Sequence, residues 1–147
     1  MTRLFLLLGI GVAAGGTIAV QSIINAALSK RTGALGSTLI VTLISIAFVS
    51  LLILFLPNEA NFKNLPGPSE WYLYLGGILG ILIVLAPILL VPRIGATATL
   101  SAIVVGQLVT ALIIDQFGLF GMPRIQVTFA RVIGLVLLLA GAYLLRP

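Results

Sequence analysis

The chain contains no cysteine and no histidine, and its 147 residues include three acidic side chains against eight lysines and arginines. Without cysteine, disulfide bonds and thiolate chemistry are excluded, and without histidine no imidazole is present for acid/base catalysis. The remaining groups are too few for a nucleophilic or acid/base active site, so the sequence predicts a protein that is not an enzyme. We expect no cofactor and no bound metal.

Hydrophobic residues make up 61% of the chain and charged residues 7%, a composition typical of membrane proteins rather than soluble domains. A bilayer core about 30 Å thick is crossed by about 20 helical residues. The apolar runs predict five such helices, at about residues 4–28, 34–56, 71–91, 96–117 and 127–145. The predicted fold is all-α, a polytopic membrane protein with one transmembrane domain over residues 1–147, no soluble domain and no visible internal repeat.

The first predicted span has a second interpretation, because Arg3 followed by an apolar run resembles a secretory signal peptide. We favour a retained span, since the apolar run continues to Leu28. It also carries Gln21 and Asn25, polar residues that a cleaved segment does not need.

The net charge of +5 does not predict nucleic-acid binding, because the basic residues occur singly or as one pair beside apolar runs. They are instead expected to contact lipid headgroups of the bilayer. With five spans, the basic residues divide almost evenly between the two membrane faces. One face carries Arg3, Lys63 and Arg124, with Arg131 just inside the last span, and the other carries Lys30, Arg31, Arg93 and Arg146.

This even division gives almost no positive-inside bias, so the chain is predicted to insert in both orientations. Two oppositely inserted copies would form an antiparallel homodimer, a ten-helix assembly that mimics the inverted repeats of many transporters. The alternative is a fixed orientation set by something that the charge count misses.

Polar side chains inside the spans are the candidate binding residues, since polar groups in hydrocarbon are costly. Gln21 and Asn25 are four residues apart on one helical face, while Gln107 and Thr110 lie near the centre of the fourth span. A carboxamide offers donors and acceptors without charge, which suits a neutral or zwitterionic solute, or an aromatic one with a polar edge. The alternative for each amide is a hydrogen bond that joins two membrane helices.

Asp115 is the acidic residue within the predicted spans, and it lies late in the fourth span on the same membrane side as Arg131. We favour a structural ion pair between them; an unpaired Asp115 would be the candidate proton or cation carrier. Glycines at close spacing predict helix packing at Gly76, Gly77, Gly80 and Gly106.

Several of these patterns occur together in one known family. They are Gln21-Ser22-Ile23-Ile24-Asn25, Gly76-Gly77-Ile78-Leu79-Gly80, Pro92-Arg93-Ile94-Gly95-Ala96, Gly106-Gln107, Asp115-Gln116-Phe117-Gly118-Leu119-Phe120-Gly121, and Arg131 with Gly134 and Gly141. In order and spacing the chain resembles the YdcZ-like family of the drug/metabolite transporter superfamily, over nearly its whole length. Gln116 is a departure, since the resemblance leads us to expect histidine there more often, and a protonation role at this position is not carried over.

The resemblance implies a half-size, five-helix relative of ten-helix transporters in the bacterial cytoplasmic (inner) membrane. It is similar in plan to the small multidrug resistance proteins, which work as antiparallel dimers. The membrane-embedded glutamate of those exporters has no counterpart here, because the first span contains no acid.

The function expected from these features is a small secondary transporter or facilitator that moves an organic solute by alternating access. Its binding site would contain Gln21, Asn25, Gln107 and Thr110. The alternatives are a passive dual-topology channel and a structural membrane subunit. A channel predicts rings of charge or a backbone-lined filter, neither of which the sequence shows.

Overall fold

The computed structural model describes residues 2–145, in which every regular secondary-structure element is a helix. The side chain of Arg3 and all of Arg146, which enter the charge count, lie outside this description. Four α-helices are present in the described part: α1 (Thr2–Phe55), α2 (Leu75–Ile94), α3 (Ala96–Phe117) and α4 (Phe129–Leu144). Short 3₁₀ helices lie between them at Pro57–Glu59, Phe62–Asn64, Pro68–Tyr74 and Leu119–Gly121.

Helix α1 is two helices joined at Gly33, whose backbone is non-helical with φ 73° and ψ 165°. Downstream of this break the Ser37 hydroxyl donates to the carbonyl oxygen of Asn25 over 2.9 Å. In a continuous helix twelve residues would separate these groups by about 18 Å. The chain therefore folds back at Gly33, which lies between the first two predicted spans. We call residues 2–32 the first arm and residues 34–55 the second arm.

Near this turn, small and polar side chains form the buried contact between the two arms. The buried residues are Ser22, Asn25, Ala26, Ser37 and Thr38. Small residues permit close approach of two helices in a membrane, and hydroxyl groups in such contacts can be satisfied by backbone carbonyls. The Thr38 hydroxyl is satisfied in this way, donating to the carbonyl of Ala34 over 2.9 Å.

The polar connection that follows the second arm is a series of short 3₁₀ turns, in which three prolines prevent a continuous α-helix. The Asn61 side chain accepts a hydrogen bond from the backbone N–H of Lys63, and the Tyr74 hydroxyl donates to the carbonyl of Pro66. The third predicted span was placed from residue 71, but the α-helix begins at Leu75 because the 3₁₀ helix Pro68–Tyr74 precedes it.

Helices α2 and α3 meet at Gly95, which has φ 80° and ψ 162°, nearly the conformation of Gly33. The Thr99 hydroxyl donates to the carbonyl of Gly95 over 2.7 Å, and its side chain is fully buried. The α3 helix covers Ala96–Phe117, the bounds predicted for the fourth span.

The two glycine turns share a seven-residue sequence pattern, which is too short to be seen as a repeat of whole spans. Residues 31–37 and 93–99 both read Arg-x-Gly-Ala-x-x-Ser/Thr. In both, the glycine has the same unusual backbone and the hydroxyl residue four positions later is fully buried. The two turns therefore share the same local sequence pattern and glycine conformation, although no repeat extends over whole spans.

Helix α4 is shorter than the predicted fifth span, since it begins at Phe129 rather than 127 and ends at Leu144. The Thr128 hydroxyl accepts from the N–H of Arg131 over 3.4 Å and fixes the start of the helix. Its 16 residues extend about 24 Å, slightly less than the hydrocarbon core.

The chain divides into two compact units, residues 2–89 and 90–145, each of which has its own helical contacts. Among the described residues, the buried hydrophobic side chains are Ala26, Ile88 and Pro87, while most large apolar side chains are exposed. Within residues 2–145, three segments are long and apolar enough to cross a membrane: Leu4–Phe55, which contains the Gly33 break, Pro68–Ile94 and Ala96–Phe117. Their exposed apolar surface is suited to lipid.

Candidate functional site

The first candidate site is a groove on the first arm, about 590 Å³ in volume. It is lined by Gly16, Thr17, Val20, Gln21, Ile24 and Asn25. Gln21 is exposed, whereas Asn25 is 5% exposed, and its backbone carbonyl accepts a hydrogen bond from Ser37 of the second arm. The structure therefore places both amides along one groove, with different depths of burial.

The second pair of predicted binding residues lies on α3. Gln107 and Thr110 are both exposed on this helix. The Thr110 hydroxyl donates to the carbonyl of Gly106 over 2.9 Å, so it is satisfied by its own helix. Gln107 lies about 17 Å from the first residue of α3, close to the middle of a bilayer that the helix would cross.

The carboxamides of Gln21, Asn25 and Gln107 share one property. Within residues 4–145 none of them forms a side-chain hydrogen bond to protein, and no buried side-chain polar atom there is left without a partner. These amides consequently keep their donors and acceptors available at the helix surface. The hydrogen bonds between helices that the sequence offered as an alternative are not formed by these amides within the described chain.

Asp115 and Arg131 form an ion pair in the second unit, with Nη1 of Arg131 3.0 Å from Oδ2 of Asp115. The Arg131 side chain is 38% exposed and that of Asp115 is 31% exposed. Asp115 lies two residues before the end of α3, and Arg131 lies two residues after the start of α4. The pair thus joins the two helices at the end where the chain passes from one to the other.

The pair is held in place by the extended segment 122–128, which lies against the last turn of α3. The backbone N–H of Ile125 donates to the carbonyl of Asp115 over 2.8 Å. Oε1 of Gln116 accepts from the N–H of Val127 over 2.8 Å, and the carbonyl of Gln116 accepts from Nε of Arg124 over 2.9 Å. These bonds set the position at which α4 starts, and therefore the position of Arg131.

Gln116 is a residue whose structural role the sequence reasoning missed. The available signal was Gly118, which adopts the left-handed conformation (φ 62°, ψ 39°) and ends α3 with its N–H bonded to the carbonyl of Ile114. A glycine in this conformation reverses the direction of the chain. The following segment then runs back beside the last turn of α3, where the side chain of Gln116 can accept a hydrogen bond from its backbone.

Beside the ion pair, α3 and α4 enclose a groove of about 300 Å³. Its walls are Leu108, Ala111, Leu112, Asp115, Arg131, Gly134, Leu135 and Leu138. A second cavity of about 530 Å³ shares Leu138 and continues between the same helices as far as Thr97 and Leu145. We call the two together the α3–α4 groove; it is charged at one end and mainly apolar along its length.

The glycines predicted to pack helices have open surroundings. A Cβ atom at Gly76, Gly77, Gly80 or Gly106 would meet no atom within 4 Å outside the helix's own nearby backbone. The described chain thus shows no close contact at these four positions, and a packing role there stays a prediction. The described residues also contain no group of three potential acidic, histidine or cysteine metal ligands.

Comparison with known proteins decides the family. The family described as "Putative inner membrane exporter, YdcZ" matches residues 6–144. The chain belongs to the YdcZ family. It is similar to the inner membrane protein YdcZ of Escherichia coli strain K12, with 28% identity over 134 residues that cover 90% of this chain and 89% of that protein. No solved structure matches.

Membership of the YdcZ family confirms the resemblance drawn from the sequence. It places the chain in the bacterial inner membrane, in agreement with its several apolar helices of sufficient length to span a bilayer. The family is described as one of inner membrane exporters rather than of enzymes, which supports a membrane transport protein in general terms.

Proposed function

We propose that this YdcZ-family chain is a secondary transporter or facilitator of the drug/metabolite transporter superfamily. It crosses the membrane five times, through the two arms of α1 and helices α2, α3 and α4. Two copies in opposite orientations form the transporting unit, which moves a small organic solute by alternating access. Gln21, Asn25, Gln107 and Thr110 contact the solute.

The observation that carries this proposal is the absence of protein hydrogen bonds, within residues 4–145, at the three carboxamides of Gln21, Asn25 and Gln107. A polar group left without a partner in hydrocarbon costs several kcal/mol. Two of the amides are exposed on otherwise apolar segments, which implies that water, solute or a second protein molecule meets them. A polar solute path satisfies all three, because carboxamides can both donate and accept.

The antiparallel dimer is supported by a different set of features. The basic residues are almost evenly divided between the two sides of a five-span topology. The open glycine surfaces at Gly76, Gly80 and Gly106 also leave space for a closely packed helix of a second copy.

The solute-binding role of the amides is tested by ligand screening and flux. A thermal-shift screen of purified protein against neutral and zwitterionic metabolites and drugs selects a stabilising solute, which is then followed into proteoliposomes. Gln107→Ala and Gln21→Ala are each expected to slow its flux roughly tenfold, the effect of losing one neutral hydrogen bond of about 1.4 kcal/mol. Gln126→Ala is the matched control, since Gln126 is an exposed glutamine outside the helices. Flux that is equal in all three variants would contradict a binding role for the amides.

Dual insertion is tested by site-directed labelling, for which the cysteine-free chain is a clean background. A single cysteine at Asn64, in the exposed polar connection, is expected to react with an impermeant maleimide in both right-side-out and inside-out membrane vesicles. Leu82→Cys, within α2, is the control and is expected to stay unlabelled in sealed vesicles of either kind. Reaction of Asn64→Cys from one side alone would contradict the antiparallel dimer.

A further inference from the structure

We propose that the α3–α4 groove binds a phospholipid whose headgroup carries both a phosphate and a primary ammonium group. Its headgroup lies at the Asp115–Arg131 pair and one acyl chain lies along the groove. This site is separate from the amide residues and does not depend on their role in transport.

The ion pair retains bonding capacity for such a headgroup. One guanidinium N–H of Arg131 is bonded to one oxygen of Asp115, and no other side-chain hydrogen bond of either residue is present within residues 4–145. Arginine has five N–H donors, and a carboxylate has acceptor positions on both oxygens. Arg131 can therefore also bind a phosphate oxygen, while Oδ1 of Asp115 can accept from an ammonium group.

The charges of the pair favour a zwitterion over a simple anion. Both side chains are about one-third exposed, so a ligand can reach them. A ligand with negative charge alone would be attracted by Arg131 and repelled by the adjacent Asp115. A phosphate linked to a primary ammonium places opposite charges next to both residues, which makes it the complementary headgroup.

The position and direction of the groove match a lipid in a bilayer. The charged pair lies at one end of α3 and α4, where a membrane-crossing helix reaches headgroup level, and the groove runs from there towards the opposite ends of both helices. Its first section, from Asp115 to Leu108, extends about 10 Å along α3. Beyond Leu138 the second cavity continues in the same direction.

The wall of the groove is suited to a hydrocarbon chain. Beside the ion pair it is formed by leucine, alanine and glycine, and Gly134 leaves open space where a side chain would otherwise project. An acyl chain fills such a groove without an unsatisfied polar group. A phospholipid whose headgroup lies at the Asp115–Arg131 pair therefore has the same orientation as the surrounding bilayer lipids.

The experiment compares three phospholipids with identical short acyl chains, added to the purified full-length protein in detergent. They are phosphatidylethanolamine, phosphatidylcholine, which lacks ammonium N–H donors, and phosphatidylglycerol, which lacks the positive charge. Apparent affinities are read from thermal shift and from lipid adducts in native mass spectrometry. Phosphatidylethanolamine is expected to bind roughly tenfold more tightly than the other two, as the loss of one charge-assisted hydrogen bond implies.

Three variants test whether the phospholipid binds in the α3–α4 groove. Asp115→Asn is expected to abolish the preference for phosphatidylethanolamine over phosphatidylcholine. Gly134→Leu fills the groove while keeping both charges, and is expected to weaken binding of all three lipids. Glu59→Gln, in the exposed connection, is the control and should change neither property.

Three results would overturn the proposal. Equal affinity for the three lipids would show that the ion pair does not recognise the headgroup. Unchanged lipid binding in Gly134→Leu would place the lipid elsewhere. Stabilisation by free leucine, with no response to any phospholipid, would assign the pair to an amino-acid solute instead.

Discussion

Alanine at Gly33 is expected to lower the free energy of unfolding by about 3 kcal/mol, and alanine at Gly95 to do the same. Both glycines combine a positive φ with a ψ near 165°, a region that is essentially restricted to glycine. No atom lies within 4 Å of a Cβ built at either position, so the cost arises from backbone strain rather than from a clash. The measurement is thermal unfolding of the purified variants in detergent.

Gly9→Ala is the matched control for this prediction. Gly9 lies within the first arm and has the same open surroundings, but its φ is not positive. Since alanine is the better helix former, this variant is expected to be as stable as the parent protein or more stable by up to about 1 kcal/mol. If Gly33→Ala unfolded at the same temperature as Gly9→Ala, the glycine at the turn would not be required for its backbone conformation.

The helix pattern of this chain is predictable because apolar runs and turn residues are local features. Gly33 and Gly95 each lie two residues after an arginine that follows an apolar run, and the sequence places a helix boundary at both. The bounds of α3 agree with the prediction to the residue. Composition does not reveal that the two turns share one conformation, because that similarity depends on a short pattern and on the burial of Ser37 and Thr99.

The candidate sites differ in how far the sequence could predict them. Two opposite charges at the adjoining ends of consecutive apolar segments are readily paired, as Asp115 and Arg131 are in the structure. The hydrogen bonds of Gln116 to segment 122–128 were only partly predictable: Gly118 signals that the chain turns back at the end of α3, but nothing in the sequence specifies which groups of the returning segment Gln116 binds. Likewise, spacing puts Gln21 and Asn25 on one face, but the burial of Asn25 depends on the second arm returning beside it.

Asp115→Ala is expected to lower the free energy of unfolding by about 2 kcal/mol, by leaving the charge of Arg131 without its partner. Loss of one member of a fully buried pair costs about 3–5 kcal/mol, and an exposed pair contributes about 1 kcal/mol or less. The Asp115–Arg131 pair lies between these cases, since about a third of each side chain is exposed. Thermal unfolding in detergent gives the change, with Glu70→Ala in the exposed connection as the control.

A double-mutant cycle separates the ion pair from the other contacts of its members. Arg131 is also part of the α4 start, where its N–H donates to Thr128, so Arg131→Ala alone measures more than the charge. In Asp115→Ala/Arg131→Ala no uncompensated charge remains, and we expect this variant to be more stable than the sum of the single effects by about 1 kcal/mol or more. Additivity within about 0.5 kcal/mol would mean that the two charges do not stabilise the α3–α4 contact. The bonds between segment 122–128 and the end of α3 would then hold the helices together by themselves.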